Sequence, residues 1–245
     1  MNQKTVVITG GTSGIGFACA AYLNQHGFKV IITGRNPSKL DESLAKLGKD
    51  TEGYLVDAGN LEQIQHWVDT LQSKGHTIDG LFLNAGIFKP ASLESTTEAL
   101  FDETMDINFK GPFFTIQKFL PILNTPASIV LNTSIVVFKA FPNSSVYSCS
   151  KAALESLSKV LNIELAGRGI RTNIISPGIT HTPILEKSGM SPQEVNALMD
   201  NLESTLPIGR RVLPSDIAPI LQFLLSDESA VLRNEKIVID GGYTL

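Results

Sequence analysis

Short β-branched apolar runs alternate with stretches of helical length along this chain, and that alternation restricts its fold more than any other feature. Residues 5–9, 14–26 and 29–33 read as a strand, a helix and a strand. A helix over 38–47, a strand over 53–56, a helix over 61–73 and a strand over 78–83 follow. Asn60 is placed to cap the third helix, and Leu61, Ile64, Val68 and Leu71 fall on one face of it. Beyond it lie a helical region over 98–123 interrupted by Gly111-Pro112, a strand over 128–133 and a helix over 146–166. Strands over 170–176 and 236–240 complete the series. Strands separated by helices return in the same direction through right-handed crossovers. The pattern therefore predicts an α/β fold: a doubly wound parallel sheet of about seven strands with helices on both faces. No break in composition divides the 245 residues, so one domain over 1–245 is expected.

The segment 183–214 departs from the alternation. It shows no strand signal and contains Ser191-Pro192-Gln193-Glu194, a capping box with proline at the first helical position. Ile184, Leu185, Met190, Leu198, Met199 and Leu202 make it too apolar for a solvated tail. It is expected to be a helical substrate lid, with a helix packed permanently on the surface as the alternative.

Charge and cysteine content exclude several classes. Twenty basic and twenty-four acidic residues give a net charge of −4, and no block of five like charges appears, so nucleic acid and anionic lipid are poor partners. No apolar run reaches the ~18 residues of a membrane span. Met1-Asn2-Gln3-Lys4 runs directly into Val6-Val7-Ile8 without signal-peptide architecture. Cys19 and Cys149 stand far apart with no neighbouring ligand, which argues against disulfides and zinc and for a reducing cytoplasm.

The first chemical signal is Thr9-Gly10-Gly11-Thr12-Ser13-Gly14-Ile15-Gly16, directly after the first strand. Glycine permits positive φ and close backbone approach, and the following helix start offers unpaired N–H groups to a diphosphate. A glycine-rich turn could merely join a strand to a helix, but here it stands at the first crossover, where a dinucleotide binds.

The second signal is Tyr147-Ser148-Cys149-Ser150-Lys151, which puts a phenol and an ammonium on one face of the long helix. The neighbouring cation is expected to lower the phenol pKa and make Tyr147 an acid/base. A carbonyl that accepts a hydride becomes an alkoxide needing a proton donor and a second hydrogen bond. Tyr147 supplies the first and Ser134 the second. Taken alone, the Tyr-Lys pair could be a surface pair, Asn108 a local backbone cap and Ser134 a strand-end cap.

These residues together resemble the short-chain dehydrogenase/reductase family. The glycine spacing of residues 9–16 is the family's, and Asn84-Ala85-Gly86 is similar to the motif that walls its cofactor cleft. Asn108, Ser134, Tyr147 and Lys151 stand in the order and spacing of its catalytic tetrad. Asp57 with Ala58 resembles its adenine-side acid, Pro177-Gly178-Ile179 with Thr182 its nicotinamide loop, and Asp240-Gly241-Gly242 its C-terminal signature. Arg233-Asn234 departs from the usual small-residue-plus-glycine turn, and asparagine is expected to preserve it in left-handed geometry. The resemblance implies a Rossmann-like fold and a nicotinamide cofactor held by Gly10, Thr12, Ser13, Gly14, Ile15, Gly16 and the residues just named. It further implies that Lys151 holds the nicotinamide ribose with Tyr147, that Asn108 anchors a proton-carrying water, and that the chain forms a homotetramer. Phe113, Phe114, Ile116, Phe119 and Leu120 supply apolar surface for such an assembly.

The second strand runs into Thr33-Gly34-Arg35-Asn36. By alignment Gly34 takes the place of the acid that reads a free ribose hydroxyl, and Arg35 is free to pair with a 2′-phosphate. NADP(H) is favoured and NAD(H) remains possible, since Arg35 can also stack on adenine. The expected substrate pocket comprises Val136, Phe141, Asn143, Val146, His181, Ile184, Leu185 and Met190, a mostly apolar set suited to bulky neutral ketones or secondary alcohols. His181 reads as a rim residue. A 3-oxoacyl thioester is the alternative substrate, with Lys89 and Lys139 placed to receive a phosphopantetheine. A sensor or scaffold without turnover is the alternative of another class. Relatives that reduce enoyl groups space Tyr and Lys more widely, and sugar-nucleotide epimerases carry a further domain.

Overall fold

The computed structural model describes residues 3–180, 182, 184 and 191–245. Seven strands form one parallel sheet in the order β3-β2-β1-β4-β5-β6-β7. They are β1 (Thr5–Ile8), β2 (Lys29–Gly34), β3 (Thr51–Leu55), β4 (Ile78–Leu83), β5 (Leu123–Asn132), β6 (Ile170–Pro177) and β7 (Lys236–Ile239). The helices among the described residues are α1 (Gly14–Gln25), α2 (Pro37–Leu47), α3 (Leu61–Ser73), α4 (Glu98–Met105), α5 (Gly111–Phe119), α6 (Ser145–Glu164), α7 (Pro192–Thr205) and α8 (Pro214–Leu225). The expected doubly wound α/β architecture is therefore present. None of these helices is long and apolar enough to cross a membrane.

Alternation along the strands builds two apolar layers, because successive side chains point to opposite faces. Val7 and Ile31 pack with Ile64, Trp67 and Leu71 of α3, Ile116 and Phe119 of α5, and Leu154 of α6. Val6, Ile8, Val30 and Ile32 face the other way, onto Cys19, Ala20 and Leu23 of α1 and Ile217, Leu221 and Leu224 of α8. Each fully buried aliphatic side chain contributes about 1.5–3 kcal/mol. Asn60 caps α3 through Glu62 and Gln63, as its position implied. Asn234 takes φ of 55°, the left-handed geometry expected in place of glycine.

Three local expectations need correction. The helical region after residue 98 is not interrupted at Gly111-Pro112; instead a π turn over Asp106–Lys110 joins α4 to α5. Pro112 has no N–H to offer the Asn108 carbonyl, and the turn widens so that the Gly111 N–H donates to the Asp106 carbonyl. A Cβ at Gly111 would lie 1.9 Å from the Ala58 oxygen, so only glycine permits this close approach. The fifth strand begins at Leu123 rather than 128. Finally, α8 was not anticipated, because Pro219 within it masks the spacing of Ile217, Leu221 and Leu224.

Part of the 183–214 segment lies outside the described residues. Its described portion forms α7, opened by the expected capping box between Ser191 and Glu194. Val195, Met199 and Leu202 bury one face of α7 with Leu206, against which Ile179, Leu198 and Tyr243 pack.

Candidate active site

The strand order reverses between β1 and β4, and the loops at the carboxyl ends of both strands open a cleft of about 630 Å³ there. Gly10, Thr12, Ser13, Gly14 and Ile15 line it, with Gly34, Arg35, Asn36, Asp57, Ala58, Asn84, Ala85, Gly86 and Thr182. Gly16, Pro177, Gly178 and Ile179 do not line this cleft, and Asn108, Ser134, Tyr147 and Lys151 stand beside it rather than in its lining. Gly16 is needed for contact: a Cβ there would come within 2.3 Å of the Gly10 oxygen. Gly178 donates from its N–H to the Ile239 carbonyl at 2.8 Å, and Ile179 packs on α7. Gly10 and Gly14 take φ of 67° and 53°, which places the turn close under the start of α1. Ser13 at that start makes no side-chain cap. The turn, the uncapped helix and the cleft volume fit a dinucleotide's diphosphate.

Hydrogen bonds carry order from this turn to the reacting groups. The N–H groups of Asn84 and Ala85 both donate to the Thr9 hydroxyl at 3.0 Å. Asn84 Nδ2 in turn donates to the carbonyls of Thr9 and Gly10. Asn132 Nδ2 donates to Asn84 Oδ1 at 2.9 Å, and Lys151 Nζ to the Asn132 carbonyl at 2.9 Å. The ends of β1, β4 and β5 thus locate the ammonium on α6.

Asn108 sits fully buried in the π turn. Its Oδ1 accepts from the Ile87 N–H at 2.8 Å, while its Nδ2 donates to the Ile87 carbonyl at 2.9 Å and to Ser150 Oγ at 3.1 Å. Ser150 Oγ donates to the Tyr147 carbonyl at 2.7 Å. One amide therefore ties the loop after β4 to the first turn of α6. Ser134 stands two residues beyond β5, close enough to Tyr147 for its hydroxyl to favour the phenolate, and its Oγ accepts from the Val136 N–H.

The electrostatics correct one expectation. Lys151 was expected to lower the Tyr147 pKa, but burial pushes the phenol up to about 12, opposed by the Ser134 hydrogen bond. Burial also drives Lys151 down to about 8. The ammonium is committed to the Asn132 carbonyl and lies 5.7 Å from the centroid of the Tyr147 ring. Desolvation disfavours the charged form of both groups, which favours a protonated phenol beside the cleft.

Of the residues expected at the substrate, Val136, Phe141, Asn143 and Val146 do not line the cleft; Phe141 stacks on Tyr243 with ring centroids 6.0 Å apart, and Lys139 Nζ lies 4.1 Å above the Tyr243 ring. Asn143, at φ of 60°, accepts from the Ala91 N–H. Val146 is buried in the first turn of α6, and Ile184 lines the cleft. His181, Leu185 and Met190 lie outside the described residues.

Lys89, expected at the rim, lines the cleft, and Thr33, Lys39, Val56, Ile87, Phe88, Glu103 and Ile107 do so without having been anticipated. Lys39 had a readable signal. It is the third residue of α2, whose cap Asn36 accepts from the Lys39 N–H at 3.0 Å, so it returns toward Arg35. A side chain at Gly34 would meet Thr12 Cγ2 at 2.5 Å, so Thr12 would have to shift to admit a ribose-reading carboxylate.

The sequence pattern of the family described as enoyl-(acyl carrier protein) reductase matches residues 10–244. Dehydrogenase/reductase SDR family member 4 of Pongo abelii is 34% identical, over 98% of this chain and 87% of the relative. The 3-oxoacyl-[acyl-carrier-protein] reductase FabG of Thermotoga maritima is 35% identical, over 100% and 99%. A short-chain dehydrogenase/reductase from Brucella melitensis, titled glucose/ribitol dehydrogenase, superposes with a TM-score of 0.90 at 29% identity, over 98% and 96%.

The charge on Lys151 carries a pH signature. Its folded pKa lies below the ordinary lysine value, so the unfolded chain binds more protons between about pH 8 and the ordinary value, and stability rises with pH there. Lys151→Met should accordingly be favoured over wild type at pH 7, with the gap in melting temperature narrowing toward pH 10. A gap that stays constant over this range would contradict the assignment.

Proposed function

The chain belongs to the short-chain dehydrogenase/reductase family and is an NAD(P)-dependent oxidoreductase; from that premise we propose that it interconverts a neutral ketone and a secondary alcohol, with NADP(H) preferred. The observation that carries the reading is the Tyr147 ring beside the cleft, packed edge to face on Phe88 with the Lys151 ammonium 5.7 Å from its centroid. A bound nicotinamide supplies the hydride that reaches the carbonyl carbon. Tyr147 gives its proton to the oxygen as charge develops there, and Ser134 donates the second hydrogen bond. Lys151 holds the ribose and offsets the charge left on the phenolate. The Asn108 side chain is occupied by Ile87 and Ser150, which leaves its main-chain carbonyl, deprived of an α-helical partner by Pro112, to hold the proton-carrying water.

Arg35 and Lys39 support NADP(H), because both line the adenosine end of the cleft where a 2′-phosphate needs cations. Asp57 Oδ2 lies 3.9 Å from Arg35 Nη1 and orients it loosely. A 3-oxoacyl thioester is the second reading, favoured by the likeness to the Thermotoga reductase. Against it, Lys89 is paired with Glu103 and Lys139 with the ring and carbonyl of Tyr243, so neither is free for a phosphopantetheine. We further propose that the segment 183–214 serves as the substrate lid, and that the chain works in the cytoplasm as a homotetramer. Of the residues expected to supply its surface, Ile116 and Phe119 are buried in the core and Leu120 packs against it, so support comes instead from exposed Phe101, Phe113, Val160 and Ile163 on α4, α5 and α6.

Tyr147→Phe should lower ketone reduction by several orders of magnitude while leaving NADPH binding intact, read by absorbance and by titration. Near wild-type turnover would refute the acid/base role. Arg35→Ala should weaken NADPH by roughly ten- to a hundred-fold and NADH far less, since a charge-assisted contact contributes about 1.5–3 kcal/mol. Equal losses for both nucleotides would make Arg35 an adenine stacker. Light scattering at micromolar concentration should report the mass of four chains, and a single-chain mass would contradict the assembly.

A further inference from the structure

We propose that Phe88 sets the substrate class by giving the reacting site an aromatic wall, so that the enzyme takes ketones bearing a flat apolar group, aryl ketones above all, ahead of extended 3-oxoacyl chains. This deepens the reductase reading and rests on it.

Phe88 follows Ala85-Gly86-Ile87 at the end of β4 and lines the same cleft as those residues. Its ring meets that of Tyr147 edge to face, with centroids 5.1 Å apart and planes at 60°. It is half-buried, with one side packed on the phenol that donates the proton. A ketone whose oxygen reaches the Tyr147 and Ser134 hydroxyls brings its carbon skeleton past this ring.

The wall is held rigidly. Asn108 grips both the N–H and the carbonyl of Ile87, the residue before Phe88. The same amide reaches the Tyr147 carbonyl through Ser150, so one buried group sets both rings. On the far side the Ala91 N–H donates to the Asn143 carbonyl at 3.0 Å, which fastens the loop beyond Phe88 to the segment following Ser134. A ring fixed in this way loses little rotamer freedom when a ligand packs on it, and pairs of aromatic rings gain beyond simple area burial. The amide and thioester groups of an extended acyl chain gain nothing comparable from a benzene ring and give up water to reach it. The adjacent cation, Lys89, is already neutralised by Glu103.

The test compares kcat/KM for acetophenone with that for an acetoacetyl thioester in wild type, Phe88→Ala, Phe88→Leu and Phe88→Tyr. Phe88→Ala should lower the aryl-to-thioester ratio about tenfold. Phe88→Leu keeps apolar volume without a ring and should lose the preference too, whereas Phe88→Tyr should hold it within about twofold. Acetophenone binding to the enzyme loaded with NADP+, measured by calorimetry without turnover, should weaken about tenfold in Phe88→Ala. Melting temperature and NADPH affinity report whether each variant keeps the fold. An unchanged ratio in folded Phe88→Ala and Phe88→Leu would overturn the proposal and leave the reductase reading standing. A wild type inert toward every ketone would overturn both.

Discussion

The carboxyl ends of three neighbouring strands are joined by side-chain hydrogen bonds, and the site depends on that joint. The Thr9 hydroxyl accepts from the loop after β4, Asn84 reaches back to the glycine turn, Asn132 reaches Asn84, and Lys151 ends the series on the Asn132 carbonyl. Without these bonds the turn, the loop after β4 and α6 would be held only by apolar packing, which fixes spacing but not direction. With them, the place of a diphosphate and the place of a proton donor are set by one network. The network is not complete, for Asn132 Oδ1 is buried without a partner while its Nδ2 and main-chain carbonyl are used.

Burial then decides what the network does chemically. The same apolar surroundings push the Tyr147 phenol up and the Lys151 ammonium down, so each side chain resists carrying charge. A protonated phenol is the form that can give a proton to a carbonyl oxygen. Lys151 is still charged at neutral pH, and the phenol becomes charged only as its proton passes to the substrate oxygen.

Sequence carried the parts of this picture that are local. Gly10, Gly14 and Gly16 announced a turn, Tyr147 and Lys151 one helix face, Asn60 and Ser191 two helix starts, and the alternation of strands and helices the sheet. Convergence was less legible. Nothing in the spacing of Phe88 shows that its ring meets Tyr147, because their contact is made by Asn108 from a third element. The direction of the Tyr147 shift was misread because a neighbour four residues away is visible in sequence, while the desolvation that outweighs it is not. Pro219 hid α8 for a related reason: the helix is held by its packing on α1, and packing overrides the local penalty of a proline.

The most direct measurement follows the hydrogen itself. Reduction of acetophenone by the wild-type enzyme with NADPH deuterated at the transferring position of the nicotinamide ring, followed by NMR of the product, should place one deuterium on the carbinol carbon. Hydroxyl protons should come from water. Product without deuterium at that carbon, or no product from any ketone offered, would contradict an oxidoreductase built on Tyr147, Ser134 and Lys151.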